Sequence, residues 1–340
     1  MTTGLIIGKF YPPHKGHKLL IDTAIDRVNK VYVIVCEKDG QVPSGSLRIG
    51  WIKEWYGSDN IDIQLYHYVH DNDDPKLWAD ECKKLLNFIP NFVFTSELYG
   101  NSFAEYLGSK HVLIDLYREK IPISGTVTRN NPLKYLNYLE PNVRKYYIPR
   151  VVLVGAESTG KTTLAKKIME KYPEKAKWVP EYMRILCEKK LKNNFDPDMT
   201  PIFIWTTDEL IETAQGQIES EVFTAMQDNI EFIICDTDVF AVSIWHERYI
   251  GYVSDEIEKM TKEYEKEVYQ QIYLLTDNSV PFIQDGYRDG EHIRDWMFNK
   301  FFEKLKSENK KFHLLTGSYD DRFKKAQEII DKLIGINDYK

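Results

Sequence analysis

Cysteine is scarce in this 340-residue chain: only Cys36, Cys82, Cys187 and Cys235, with no Cys-x-x-Cys pair among them. Cys36 and Cys235 lie inside apolar runs, which points to buried, reduced thiols and not to a disulfide framework. Long apolar stretches are also missing, and none approaches the roughly 18 residues of a membrane span. There is no basic excess: the formal net charge is -7 and the pI about 5.7. A general nucleic-acid binder would need a basic face, so any phosphate ligand must be held by local devices. The chain shows no internal repeat and no low-complexity tract. Gly8 follows so soon after Met1 that a signal peptide is not expected, which makes the cytoplasm the expected location.

Hydrophobic residues make up 43% and charged residues 29%, enough for two ordinary cores in a chain of this length. Short apolar runs at 5–7, 31–36, 61–65, 92–94 and 112–114 alternate with helix-like spacing at 18–28, 46–55 and 78–87. Such alternation predicts an α/β domain with a parallel sheet covered on both faces. Two prolines interrupt 140–150, and a new strand–loop–helix pattern starts straight after, so the expected domains are 1–148 and 149–340. The second again predicts a parallel sheet, from apolar runs at 151–154, 232–235, 272–275 and 311–315, with helices over 206–227 and 254–271.

The first domain opens with Gly8-Lys9-Phe10-Tyr11-Pro12-Pro13-His14-Lys15-Gly16-His17, directly after a strand. The two prolines stiffen the loop, and a helix starting there would aim its first N–H groups at a phosphate. His14 and His17 can then donate to α-phosphate oxygens as charge builds in the transition state. No protein nucleophile is required if an acceptor phosphate attacks directly. A second element, Ser124-Gly125-Thr126-Val127-Thr128-Arg129, reads by itself as a capped helix start with an arginine.

The second domain carries Gly155-Ala156-Glu157-Ser158-Thr159-Gly160-Lys161-Thr162-Thr163 between a buried strand and a helix. It fits the Gly-x-x-x-x-Gly-Lys-[Ser/Thr] phosphate loop, with Lys161 for the β- and γ-phosphates and Thr162 for Mg²⁺. The run 232–235 ends in Asp236-Thr237-Asp238. In an extended chain both carboxylates point to one side. Asp236 is therefore expected to steady Mg²⁺ and Asp238 to receive the acceptor hydroxyl's proton, with Glu181 the alternative base. Glu181 and Arg184 fit either a site or a solvated helical ion pair. The glycine-rich stretch 284–294, with Arg288 and Arg294, fits either a mobile cover over the phosphates or surface salt bridges.

Taken together these motifs resemble the bifunctional nicotinamide-nucleotide adenylyltransferase/ribosylnicotinamide kinase family. Further elements that resemble it are Glu-Tyr-x-Arg at 181–184, Asp-Thr-Asp at 236–238, Asp-Gly-x-Arg at 285–288 and Ser-Tyr-x-Asp-Arg at 318–322. The resemblance implies an N-terminal Rossmann-like nucleotidyltransferase sheet and a C-terminal P-loop kinase sheet. It implies two reactions: ATP phosphorylates ribosylnicotinamide to nicotinamide mononucleotide (NMN), and ATP adenylylates NMN to NAD with release of pyrophosphate. ATP is a co-substrate of both, with Mg²⁺. The element at 124–129 would take the β- and γ-phosphates through Ser124, Thr126 and Arg129. Trp78 would stack the nicotinamide ring in the first domain, and Phe282 and Tyr319, near Asp285, in the second; ordinary core packing is the alternative for each. Enterobacterial relatives begin with a repressor domain, whereas this chain opens on the catalytic strand, so no nucleic-acid partner is expected. Phe282 stands where a tryptophan is usual. A homo-oligomer is compatible with the sequence.

Three other readings meet the same residues. An FAD synthetase also joins an adenylyltransferase to a kinase, but its kinase is a β-barrel without a phosphate loop. Another phosphorylated acceptor would suit the first domain alone. A non-catalytic NAD or ATP sensor could dispense with several of His14, His17, Lys161, Thr162 and Asp236, all of which are present.

Overall fold

The computed structural model describes residues 1–57, 60–69, 73–193, 204–283 and 290–335, and they fall into two units, Met1–Arg144 and Lys145–Lys340. In the first unit the strands are β1 (Thr3–Gly8), β2 (Lys30–Glu37), β3 (Ile61–His67), β4 (Phe92–Thr95) and β5 (Lys110–Leu113). Its helices are α1 (Lys15–Ile25), α2 (Gly45–Trp55), α3 (Pro75–Leu86), α4 (Gly100–Leu107) and α5 (Gly125–Asn130), followed by α6 (Pro141–Tyr147). The strands form one parallel sheet in the order β3-β2-β1-β4-β5.

Both faces of that sheet are covered, as the apolar runs require. Ile6, Val31, Val33 and Val35 pack on one face with Leu20, Ile21 and Ala24 of α1 and Ile52 of α2. Leu5, Ile34 and Cys36 pack on the other with Ala79, Cys82 and Leu86 of α3 and Phe103, Ala104 and Leu107 of α4. Successive residues of β1 and β2 thus alternate between two cores. The strand order reverses beside β1, which parts the loops leaving β1 and β4 and opens a crevice at their carboxyl ends.

The second unit has strands β6 (Arg150–Val154), β7 (Ala176–Val179), β8 (Phe232–Asp236), β9 (Gln271–Thr276) and β10 (Phe312–Leu315). Its helices are α7 (Lys161–Lys171), α8 (Tyr182–Asn193), α9 (Thr207–Ala225), α10 (Val239–Ile250), α11 (Asp255–Glu265), α12 (Arg294–Ser307) and α13 (Tyr319–Leu333). The sheet is parallel, in the order β10-β9-β6-β8-β7. α7 and α13 share one core with β6, β8 and β9 through Leu164, Ile168, Ala326, Ile330, Val151, Ile234 and Leu274. Two details differ from the sequence reading. The helix expected over 254–271 stops at Glu265, because Gln271 already enters β9. The short strand β7, with exposed Lys177 inside it, gave no apolar run to detect.

Candidate active sites

The crevice of the first unit is a cleft of about 560 Å³, within the range of small-molecule sites. It is lined by Gly8, Lys9, Phe10, His14, His17, Trp78, Ser124, Thr126 and Arg129, so the structure brings the expected first-domain residues together. The two histidines cap α1 reciprocally. Nδ1 of His14 accepts from the Gly16 N–H at 3.1 Å, and Nδ1 of His17 accepts from the His14 N–H at 3.2 Å. Each Nδ1 is thereby an acceptor, which leaves the proton of the neutral ring on Nε2. The rings lie 3.7 Å apart, and Phe10 packs 4.7 Å from His17. Burial and the charge of Arg118 hold His14 down at about 3; burial, His14 and Arg118 lower His17 well below the usual range. Both rings are therefore neutral donors at pH 7.

Arg48 is fully buried and fixes the loop after β1 by donating to the Lys9 carbonyl and, at 3.2 Å, to that of Cys36. The guanidinium groups of Arg48 and Arg129 lie 5.1 and 4.7 Å from the centre of the Tyr11 ring, and Arg129 also donates to the Tyr11 carbonyl at 2.9 Å. Trp78 meets the rings of Tyr68 and Tyr66 edge-on. Asp73, Glu97, Tyr99, Asp115 and Arg118 also line the cleft and were not anticipated. Among them, Arg118 pairs with Glu97 at 2.7 Å.

In the second unit the phosphate loop follows β6. Gly155 has φ +141, and a Cβ there would lie 2.4 Å from Thr276 Oγ1, so a side chain is excluded on both grounds. Gly160 precedes α7 without any side-chain cap, leaving the helix's first N–H groups open to an anion. Lys161 curls over the loop, donating to the carbonyls of Gly155 at 3.0 Å and Ala156 at 2.8 Å. Thr162 Oγ1 donates to Asp236 Oδ2 at 2.6 Å. Arg322, 2% exposed, braces the loop from below. It donates to the Thr159 carbonyl at 2.7 Å, to Gly317 at 3.1 Å and to Ser279 at 2.9 Å, and pairs with Asp277.

One pocket gathers Glu157, Ser158, Thr159, Gly160, Lys161, Thr162, Thr163, Glu181, Arg184 and Asp236. Its carboxylates follow from topology. Because β6, β8 and β7 are neighbours, the loop after β6, Asp236 ending β8 and Glu181 just beyond β7 share one edge of the sheet. Burial first, then the charge of Asp236, pushes Glu181 up to about 7 against the opposing charges of Lys161 and Arg184. Glu157 pairs with Arg248 at 2.6 Å and accepts from the Gly290 N–H at 2.9 Å. The opposite wall is aromatic: Trp205, Trp245 and Tyr249, with Tyr249 6.0 Å from Trp205 and nearly parallel to Trp245.

Asp238 does not belong to this pocket, contrary to the sequence reading. Thr237 takes φ +72, which breaks the extended alternation and turns the next side chain away. Asp238 is wholly buried and caps α10, accepting from Ala241 N–H at 3.1 Å, Gln271 at 2.7 Å and Tyr273 at 2.8 Å. Burial pushes it up to about 6. Phe282, Tyr319 and Arg294 do not line the pocket either. Arg294 donates to the Val280 carbonyl at 2.9 Å and stands 5.9 Å from the Phe282 ring. The Tyr319 ring abuts Gly160 of the phosphate loop. Asp285 and Arg288 lie outside the described residues. A signal for the aromatic wall was present: Trp245, Arg248 and Tyr249 recur at helical spacing just after the acid-tipped strand, with Arg248 4.6 Å from the Tyr249 ring.

The donor set at Thr162 and Asp236 fits Mg²⁺. Among the described residues no cluster of three or more His, Cys, Asp or Glu could hold a metal. Mg²⁺ beside a nucleotide needs none, since it keeps waters and phosphate oxygens as ligands. No helix among the described residues is long and apolar enough to cross a membrane.

A family model described as an AAA domain matches residues 150–322. Two curated relatives are 27% identical over 98% of this chain: the trifunctional NAD biosynthesis/regulator proteins NadR of Salmonella typhimurium and Escherichia coli, of which 83% and 84% are covered. Two solved structures share the fold over 98% of this chain and 96% of theirs. They are a NadR protein in complex with NR (20% identity, TM-score 0.70) and a NadR protein in complex with NAD and AMP-PNP (18%, TM-score 0.68). The chain is NadR-like over nearly its whole length and, through residues 150–322, belongs to the AAA domain family.

Proposed function

We propose that the chain is a bifunctional enzyme of NAD biosynthesis, acting in the cytoplasm: a ribosylnicotinamide kinase in residues 149–340 and an NMN adenylyltransferase in residues 1–148. The observation that carries this reading is the pair of unlike phosphate sites in one chain. One offers two neutral imidazole donors at the start of a helix; the other joins a phosphate loop to two carboxylates and an aromatic wall. The NadR resemblance of the whole chain supports the same assignment.

In the kinase site the loop amides and Lys161 hold the ATP phosphates. Thr162 and Asp236 would hold Mg²⁺, which when bound neutralises developing phosphate charge. Glu181, poised near neutrality, receives the proton of the riboside 5′-hydroxyl as that oxygen bonds to the γ-phosphorus. Trp205, Trp245 and Tyr249 hold the cationic pyridinium ring by stacking. In the adenylyltransferase site the Nε2–H groups of His14 and His17 donate to the α-phosphate as the NMN phosphate attacks. Ser124, Thr126 and Arg129 receive the departing pyrophosphate, and Trp78 stacks the acceptor ring.

Incubating the purified chain with ribosylnicotinamide, ATP and Mg²⁺, and resolving NMN and NAD by chromatography, tests both halves. Formation of neither product would overturn the proposal.

A further inference from the structure

The two imidazoles are neutral, so the charge that brings two anions together in the first cleft must come from its lysine and arginine side chains. We propose that Arg118 binds the phosphate of the mononucleotide acceptor and sets it against the α-phosphate of ATP, an inference that rests on the adenylyltransferase reading above. In that step an acceptor phosphate oxygen bonds to the α-phosphorus, the bond from that phosphorus to the β-bridging oxygen breaks, and pyrophosphate leaves. Arg118 supplies charge and hydrogen bonds and moves no proton.

Three cationic side chains line the cleft near the imidazoles: Lys9, Arg118 and Arg129. Arg129, which donates to the Tyr11 carbonyl, serves the departing pyrophosphate in the reading above, and the Lys9 ammonium stands 6.0 Å over the Tyr68 ring. Arg118 is the cation whose charge is felt by both His14 and His17. Its partner Glu97 stands two residues before Tyr99, whose side chain lines the cleft with Trp78 and Phe103. Arg118 therefore shares one cleft with the imidazole pair and with the aromatic residues that suit a planar acceptor ring. Glu97 engages only part of a guanidinium with five N–H donors, which leaves a fork for a phosphate.

The loop is built to hold that position. Asp115 and Arg118 both adopt left-handed backbone, with φ 52 and 54. The Arg118 N–H donates to the Asp115 carbonyl at 2.9 Å, and the Asp115 carboxylate accepts from the N–H groups of Lys120 at 3.1 Å and Ile121 at 3.2 Å. A non-glycine residue kept in that conformation by its surroundings is a common mark of a functional position.

The test begins with wild-type turnover of NMN and ATP to NAD; if none is seen, the adenylyltransferase reading itself fails. Given that activity, Arg118→Gln should lower kcat/KM for NMN by roughly 10²-fold and weaken NMN binding in calorimetry. KM for ATP should stay within about twofold. Arg118→Lys should recover part of the loss, because it restores the charge but not the fork. Phosphorylation of ribosylnicotinamide by the same variants should be unchanged, which controls for the second unit, and a circular-dichroism melt matching wild type controls for the fold of the first. A rise in the KM for ATP with NMN binding intact would overturn the proposal, as would an Arg118→Gln variant with wild-type kinetics.

Discussion

Exchanging Asp238 and Glu181 in turn by their amides separates the base from the cap. Asp238 accepts three hydrogen bonds in a fully buried setting, one of them capping α10. In Asp238→Asn one oxygen remains, and the new amide meets the donor of Gln271. Leaving a buried donor unsatisfied costs about 1–3 kcal/mol. For a unit of this size that lowers the melting temperature by roughly 2–12 °C. The folded fraction should keep near-normal kinase turnover, since Asp238 touches neither phosphate loop nor acceptor pocket. Glu181→Gln should behave in the opposite way: a melting temperature near wild type, an unchanged KM for ATP, and kinase turnover down by roughly 10² or more. Circular-dichroism melts and a coupled ADP assay at a temperature where both variants are folded measure the two quantities. An Asp238→Asn protein that melts like wild type yet has lost turnover would refute the assignment. So would a Glu181→Gln protein with near-normal turnover.

Lys161→Ala should abolish phosphorylation of ribosylnicotinamide and spare NAD formation from supplied NMN, as chromatography of both products will show. Asp236→Asn should raise the Mg²⁺ concentration needed for half-maximal kinase rate, read from a metal titration. Trp245→Ala should raise KM for the riboside by roughly tenfold, the worth of a lost aromatic stack with its buried area, and leave KM for ATP unchanged in initial-rate assays. The first unit should lose stability in acid. His14 titrates near 6.5 when unfolded but at about 3 when folded, so the unfolded chain binds the extra proton between those values. Stability is then lost as pH falls below about 6.5 and is flat above it. Urea melts at about pH 7 and about pH 5 should differ less in His14→Asn, which keeps a capping side chain without the titration.

Features confined to one turn of chain were readable from the sequence. The phosphate loop places its glycines, Lys161 and Thr162 within one short segment, and the first-domain loop likewise holds His14 and His17 three residues apart, although their capping of α1 through Nδ1 shows only in the structure. The parallel sheets were readable for a similar reason: runs such as β2, buried along most of its length, have few other places to go. The choice between Asp238 and Glu181 was not readable, because it turns on the left-handed backbone of a single threonine and on a strand too short and polar to recognise. The aromatic wall was missed because Trp205 and Tyr249 come from separate segments that meet only in the folded unit. Phe282 and Tyr319 were assigned to a ring by family pattern, whereas the backbone sets them against Arg294 and Gly160.

Arg322 makes the phosphate loop a late product of synthesis. The guanidinium that holds the Thr159 carbonyl lies 163 residues further along the chain, and it fastens the end of β9 and the turn before α13 in the same grip. A ribosome that has released residues 155–162 has made a motif but not yet a binding site. Until α13 emerges and docks, the Thr159 carbonyl lacks its arginine donor. A chain cut short before α13 would carry every residue of the nucleotide signature and still lack the clamp that helps shape it.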